Sequence, residues 1–356
     1  MSPQVAPEIA EGLRHAKRQL QEGDTAAADA SLTALLAREP GQPHALHLLG
    51  LLRNQQGEQD EALRLLREAD PGVRHDPVAC FNFATVLLQQ ARYREALEPL
   101  EHALALRPDY DDAALQLGVV SFRLGDLKRA AAAFRSVAER RPGHAFALTN
   151  LAATLLQLDS AEAMRVARRA AEAAAGTAKA RPLRILAKAL ALNGEEDAAM
   201  EVYDGLLADD PADVRARFAR AFTLPQVYAS QDEIIRWREQ YRHDLEALRD
   251  DLELEDPEAV EATADALFTV QNFALPQQGL DDRAEQAVYG EMLHRVATAR
   301  HPEFARPPAP RPPGQSPQSG RPRIGLVSAF FRHHSMAKTH GAWATRLDPG
   351  KLEVFA

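Results

Sequence analysis

A period of 34 residues is the feature that most restricts what this chain can fold into. The segments Pro43 to Asp76, Pro77 to Tyr110 and Asp111 to His144 superpose at that spacing. A period of this length marks stacked supersecondary units, none of which can bury its apolar face alone. Small residues recur at Gly50, Ala84 and Gly118, and again at Ala62, Ala96 and Ala130. Two closely approaching backbones exclude larger side chains, so these columns predict two helices per unit, in contact at those positions. Leu66, Leu100 and Phe134 recur as the larger residue that fills the groove beside them. Gly57 and Gly125 mark the turn between the two helices, where a left-handed residue costs glycine least, and Pro108 and Pro142 close their units.

Weaker copies flank this run. One extends from about Ile9 to Gly41, with Gly23-Asp24 at the turn, then Ala28, Leu32 and Pro40. A fifth begins at Ala145 and loses one residue near Asp159-Ser160; a sixth recovers at Ala180, with Ala187, Gly194, Ala199, Tyr203 and Pro211 in register. The period is that of tetratricopeptide units. Six helix pairs over residues 9–212 should stack into a right-handed superhelix with a concave inner surface. Composition agrees with a mostly α chain: it is rich in Ala and Leu and 46% hydrophobic, yet only 6% aromatic.

The Gly, Ala, Leu and Pro columns build the array. The polar residues of the first helices carry more information, because Asn82 and Asn150 stand two units apart with Gln116 midway, while Leu48 occupies the place one unit earlier. An amide side chain both donates and accepts, so such a column can hold the backbone of an extended peptide without reading its sequence. The same residues can equally hydrogen-bond neighbouring helices, and the pattern does not choose between the two.

With 42 basic and 51 acidic residues the formal charge is −9, which argues against a general nucleic-acid binder. Cys80 is the sole cysteine, so no intrachain disulfide or cysteine-based zinc site can form, and it reads as a small buried hydrophobe. The N-terminus lacks a basic segment followed by an apolar core, and no run of about 18 apolar residues occurs, so a cytoplasmic chain with no membrane partner is expected.

The period fails after Asp213. Residues 213–300 read as a helical transition region: Val214 to Leu224, Asp232 to Leu248 with Ser230 as cap, Ala259 to Phe273 and Asp281 to Ala299. No charge cluster there has catalytic spacing. Residues 301–322, dense in Pro with Gly, Ser and Gln, read as a linker. Then Arg323 to Ala329 is a short β-favouring run, Arg332-His333-His334-Ser335 a polar turn, Met336 to Leu347 a possible helix, and Lys351 to Ala356 the start of a second strand. This order predicts the incomplete βαβ opening of a Rossmann-like domain over residues 323–356, with chemistry at the loop Phe331 to His334 beyond the first strand. His333, His334 and His340 have no carboxylate at metal-ligand spacing, so no metal is expected.

Three further segments carry a resemblance: Leu224-Pro225-Gln226-Val227-Tyr228 with Glu233 to Arg238; Asn272-Phe273-Ala274-Leu275 with Gln278-Gly279 and Tyr289-Gly290; and Arg323 to Ser328 with Phe331 to His334, Trp343, Leu347-Asp348 and Phe355. With the repeats ahead of them, the chain resembles bacterial members of the O-linked N-acetylglucosamine transferase and SPINDLY family, glycosyltransferase family 41. The resemblance implies a repeat superhelix joined to a two-lobed GT-B domain. It further implies inverting transfer of a sugar to Ser or Thr of an acceptor protein held in the groove, with UDP-GlcNAc or GDP-fucose as donor. It places Asn82 and Asn150 in the family's acceptor-peptide ladder, with Gln116 a departure, and His334 at the family's active-site histidine, in contact with acceptor or donor. Because that family binds nucleotide mainly through its second lobe, the 356-residue polypeptide alone is expected to be inactive. A repeat scaffold that binds protein segments and does no chemistry is the competing expectation.

Overall fold

The computed structural model describes residues 7–270, 275–305, 323–325 and 353–355. Backbone contacts divide it into two units, residues 1–300 and 301–356.

The first unit opens with six helical hairpins: α1 (Pro7–Gln21) with α2 (Thr25–Arg38), α3 (Pro43–Gln55) with α4 (Gln59–Val73), α5 (Pro77–Gln89) with α6 (Tyr93–Leu106), α7 (Asp111–Arg123) with α8 (Leu127–Arg140), α9 (Ala145–Leu155) with α10 (Ser160–Ala173), and α11 (Ala180–Leu192) with α12 (Glu196–Asp209). Short polar caps start many of them. Asp24, Asp76, Asp126, Asp159 and Asp213 each accept a backbone N–H of the following helix, as for Val78 N–H on Asp76 at 2.9 Å. The small columns sit where the hairpins close. A methyl group on Gly118 would meet three ring atoms of Phe134 at 2.6–2.8 Å, and one on Gly50 would meet Leu66 Cγ at 2.8 Å. The glycine is therefore the condition for seating the larger partner.

Gly23, Gly57, Gly125 and Gly194 make the inter-helix turns with φ between 79° and 84°. The third hairpin turns instead through Ala91 at φ 55°, the one left-handed residue other than glycine among the described residues. The fifth hairpin has no left-handed residue in its turn; α9 is short and Asp159, in extended backbone, caps α10 directly. A 3₁₀ turn at Gly176–Lys179 then precedes α11.

Each hairpin packs its second helix against the first helix of the next, and first helices also approach one another, α1 with α3, α3 with α5, α7 with α9 and α9 with α11. No two second helices come together to that extent among the described residues. The first helices therefore lie on the inner side of the curve and present its concave face. Buried Ala and Leu run along the whole stack, with Cys80 among them.

Beyond the repeats come α13 (Val214–Ala221), α14 (Gln231–Asp250), α15 (Pro257–Thr269) and α16 (Arg283–Arg300), around their own core of Phe218, Trp237, Tyr241, Leu245, Leu267 and Met292. α13 stops at Ala221, short of the Leu224 expected from the sequence. Ser230 Oγ accepts the Glu233 N–H at 3.1 Å and caps α14. Buried Arg238 ties this region together: Nη1 donates to Gln278 Oε1 at 3.1 Å, and Nη2 donates to Glu285 Oε2 at 2.9 Å and to the Asp281 carbonyl. Gln278 donates onward to Tyr228 Oη at 2.8 Å, and Arg242 closes on the other Glu285 oxygen. Tyr228 and Arg238 of one sequence segment and Gln278 of the next thus meet in one network, buried at Arg238 and Glu285, that joins α14 to α16.

In the second unit α17 (Pro302–Ala305) is followed by β1 (Arg323–Gly325) and β2 (Glu353–Phe355). The two strands pair in parallel, Arg323 with Glu353, Ile324 with Val354 and Gly325 with Phe355. The helix expected over Met336 to Leu347 and most of the expected 301–322 linker lie outside the described residues.

Candidate groove of the first helices

Because equivalent residues of successive hairpins share a helical face, the column Leu48, Asn82, Gln116 and Asn150 runs along the concave side on α3, α5, α7 and α9, each residue half-buried. Its members are used differently. Asn150 Nδ2 donates to the Phe146 carbonyl one turn back at 2.8 Å, and its Oδ1 accepts from Arg181 Nη2 on α11 at 3.1 Å. Both ends of that amide are engaged inside the array. The amides of Asn82 and Gln116 make no hydrogen bond to any described residue. Both therefore remain free to donate and accept.

The surface beside the column is largely apolar. Phe81 and Leu115 lie next to it, half-buried, and Leu51, Val119 and Ala153 follow one turn on. Val78 and Phe146, one turn before Asn82 and Asn150 on the same face, are exposed at 41% and 49%, unusual for large hydrophobic side chains. The Phe81 ring packs on Tyr110 at 5.1 Å between centroids, and the Arg107 guanidinium covers Tyr110 at 4.1 Å. At the α3 end, burial pushes the His47 imidazole down to about 4; Asp76 opposes this, while His44 and Lys17 add to it. His47 is therefore a neutral core residue at pH 7.

A cleft of about 820 Å³ opens at the other end of the array, lined by Lys179, Leu183 and Arg184 on one side and Asp209, Asp213 and Arg215 on the other. Arg184 is already paired with Asp213 there. Among the described residues no group of three His, Cys, Asp or Glu could hold a metal ion, and no helix is long and apolar enough to cross a membrane. His334, with His333 and His340, lies outside the described residues. Sequence periodicity located the amide column, whereas Arg181, which engages Asn150, was missed; its only advance signal is the spacing of Arg181, Arg184 and Lys188 along one helical face.

The family model described as the tetratricopeptide repeat matches residues 13–77 and 81–145, so the chain carries tetratricopeptide repeats. No curated protein matches it. Among solved structures it is similar to YrrB, a tetratricopeptide-repeat protein with an unusual peptide-binding site, at 19% identity over 53% of this chain and 97% of that one, with a TM-score of 0.48. A tetratricopeptide repeat protein from Parabacteroides merdae is 16% identical over 73% of this chain and 98% of its own, with a TM-score of 0.46. Pseudomonas aeruginosa PilF is 20% identical, over 57% and 92%, with a TM-score of 0.44.

Proposed function

We propose that this chain is a protein-interaction scaffold whose first-helix groove holds an extended polypeptide segment by its backbone. The observation that carries this reading is the pair Asn82 and Gln116: equivalent positions of successive hairpins, both half-exposed, both without an internal partner, on an apolar concave face. Two amides one hairpin apart on equivalent helical faces can meet the same extended strand, while Val78 and Phe146 beside the column cover its side chains. The double variant Asn82→Ala/Gln116→Ala should lose about tenfold in peptide affinity, roughly two net hydrogen bonds, with unchanged helical circular dichroism. Equal capture of a synthetic decapeptide library by both proteins would sink the reading.

A second reading rests on the parallel pairing of β1 and β2, the arrangement a doubly wound domain begins with. Here the groove delivers an acceptor protein to a glycosyltransferase domain of the O-linked N-acetylglucosamine transferase and SPINDLY type, with a nucleotide sugar, UDP-GlcNAc or GDP-fucose, as donor and His334 near the reacting groups. Titration calorimetry of the full gene product with both donors tests it. Saturable heat from one donor supports it, and no heat from either refutes it.

A further inference from the structure

The α11 end of the groove has a different electrical character from the rest. Elsewhere in the array, an arginine that hydrogen-bonds a side chain of another helix finds a carboxylate, as Arg129 does on Glu101 and Arg135 on Glu162. Arg181 departs from that rule. It donates to the neutral amide of Asn150, and no ion pair joins it to a carboxylate of the described residues. Arg181 is exposed along much of its length; partial desolvation and the neighbouring Arg184 guanidinium both disfavour its charge, and no anion among the described residues offsets them. Lys188, two turns further along the same helical face, is exposed and likewise has no ion pair among the described residues.

Asn150 holds this guanidinium in place. Its Nδ2 is tied to the Phe146 carbonyl, which fixes its oxygen toward Arg181 and occupies a single donor of the planar fork. The remaining donors suit the two oxygens of a carboxylate. Resting on the peptide-groove reading, we propose that the groove selects acidic segments, an Asp or Glu carboxylate seating on Arg181 with Lys188 supplying a second positive charge. Two uncompensated cations on a chain of formal charge −9 fit a peptide carboxylate and not a polyphosphate backbone.

The test uses the immobilised full chain and a degenerate library of N-acetylated, C-amidated decapeptides, with the captured pool sequenced at moderate salt. Asp and Glu should be enriched about tenfold over Lys and Arg in the captured pool. The variant Arg181→Gln/Lys188→Gln should lose that bias while still capturing neutral and basic peptides, whereas Asn82→Ala/Gln116→Ala should lose capture of all classes and keep the bias in what remains. A neutral or basic pool, an acidic bias that survives Arg181→Gln/Lys188→Gln, or preferential capture of single-stranded DNA overturns the acidic selectivity alone. Failure to capture any peptide removes the groove reading and this inference with it.

Discussion

Replacing Gly118 by alanine tests the packing rule on which the array depends. Its new methyl would stand 2.6, 2.7 and 2.8 Å from Cε1, Cζ and Cδ1 of Phe134, about 0.8 Å inside the 3.4 Å at which ordinary contact begins. Phe134 is only 1% exposed and belongs to the buried cluster that also holds Ala130, Val137, Leu148 and Leu151, so shifting the ring disturbs a packed core. Overpacking of this kind costs about 1–3 kcal/mol. Alanine recovers about 1 kcal/mol of helix propensity over glycine, which leaves a net loss of up to about 2 kcal/mol. The preceding hairpin supplies the control, because its equivalent places hold Ala84 and Leu100, both fully buried. Gly118→Ala combined with Phe134→Leu reproduces that pair. Urea unfolding followed by circular dichroism should show the double variant more stable than the two single losses summed, with a coupling of about 1 kcal/mol or more. A Gly118→Ala protein more stable than the parent, or additive losses in the double variant, would refute the reasoning.

Three further outcomes follow from particular residues. Ala91→Gly should raise stability by about 0.5–1 kcal/mol, read as a higher urea midpoint, because Ala91 occupies left-handed backbone that glycine adopts freely; a lower midpoint contradicts this. Glu285→Leu leaves buried Arg238 without its counter-charge and should cost about 3–5 kcal/mol, read as separate early unfolding of the α13–α16 region; a loss below 1 kcal/mol would show the network to be dispensable. His47 is buried neutral, with its titration moved from 6.5 down to about 4. The unfolded chain therefore binds more protons between those values, and the His47 contribution, full above pH 6.5, is lost as pH falls toward 4, about 3 kcal/mol in all. His47→Leu should weaken the acid dependence of the urea midpoint between pH 7 and 4.5, and identical dependences in both proteins would exclude His47 as its source.

The six hairpins were legible in the sequence because the contacts that define them are local. Gly50 meets Leu66 and Gly118 meets Phe134 within one hairpin, so a recurring small-and-large pattern states the packing directly. Past Asp213 no period exists, and the Arg238 network joins Tyr228, Gln278 and Glu285 across long stretches of chain, which single segments do not announce. The amide column shows the same division. Its position on one face is a matter of helical repeat, but Asn82 and Asn150, the same residue at the same place in the unit, end up with different roles. Arg181 reaches Asn150 from the next hairpin, and no described residue reaches Asn82. Periodicity determines where a side chain points; its hydrogen-bond partners come from whichever neighbouring helix arrives, and only the folded stack decides that.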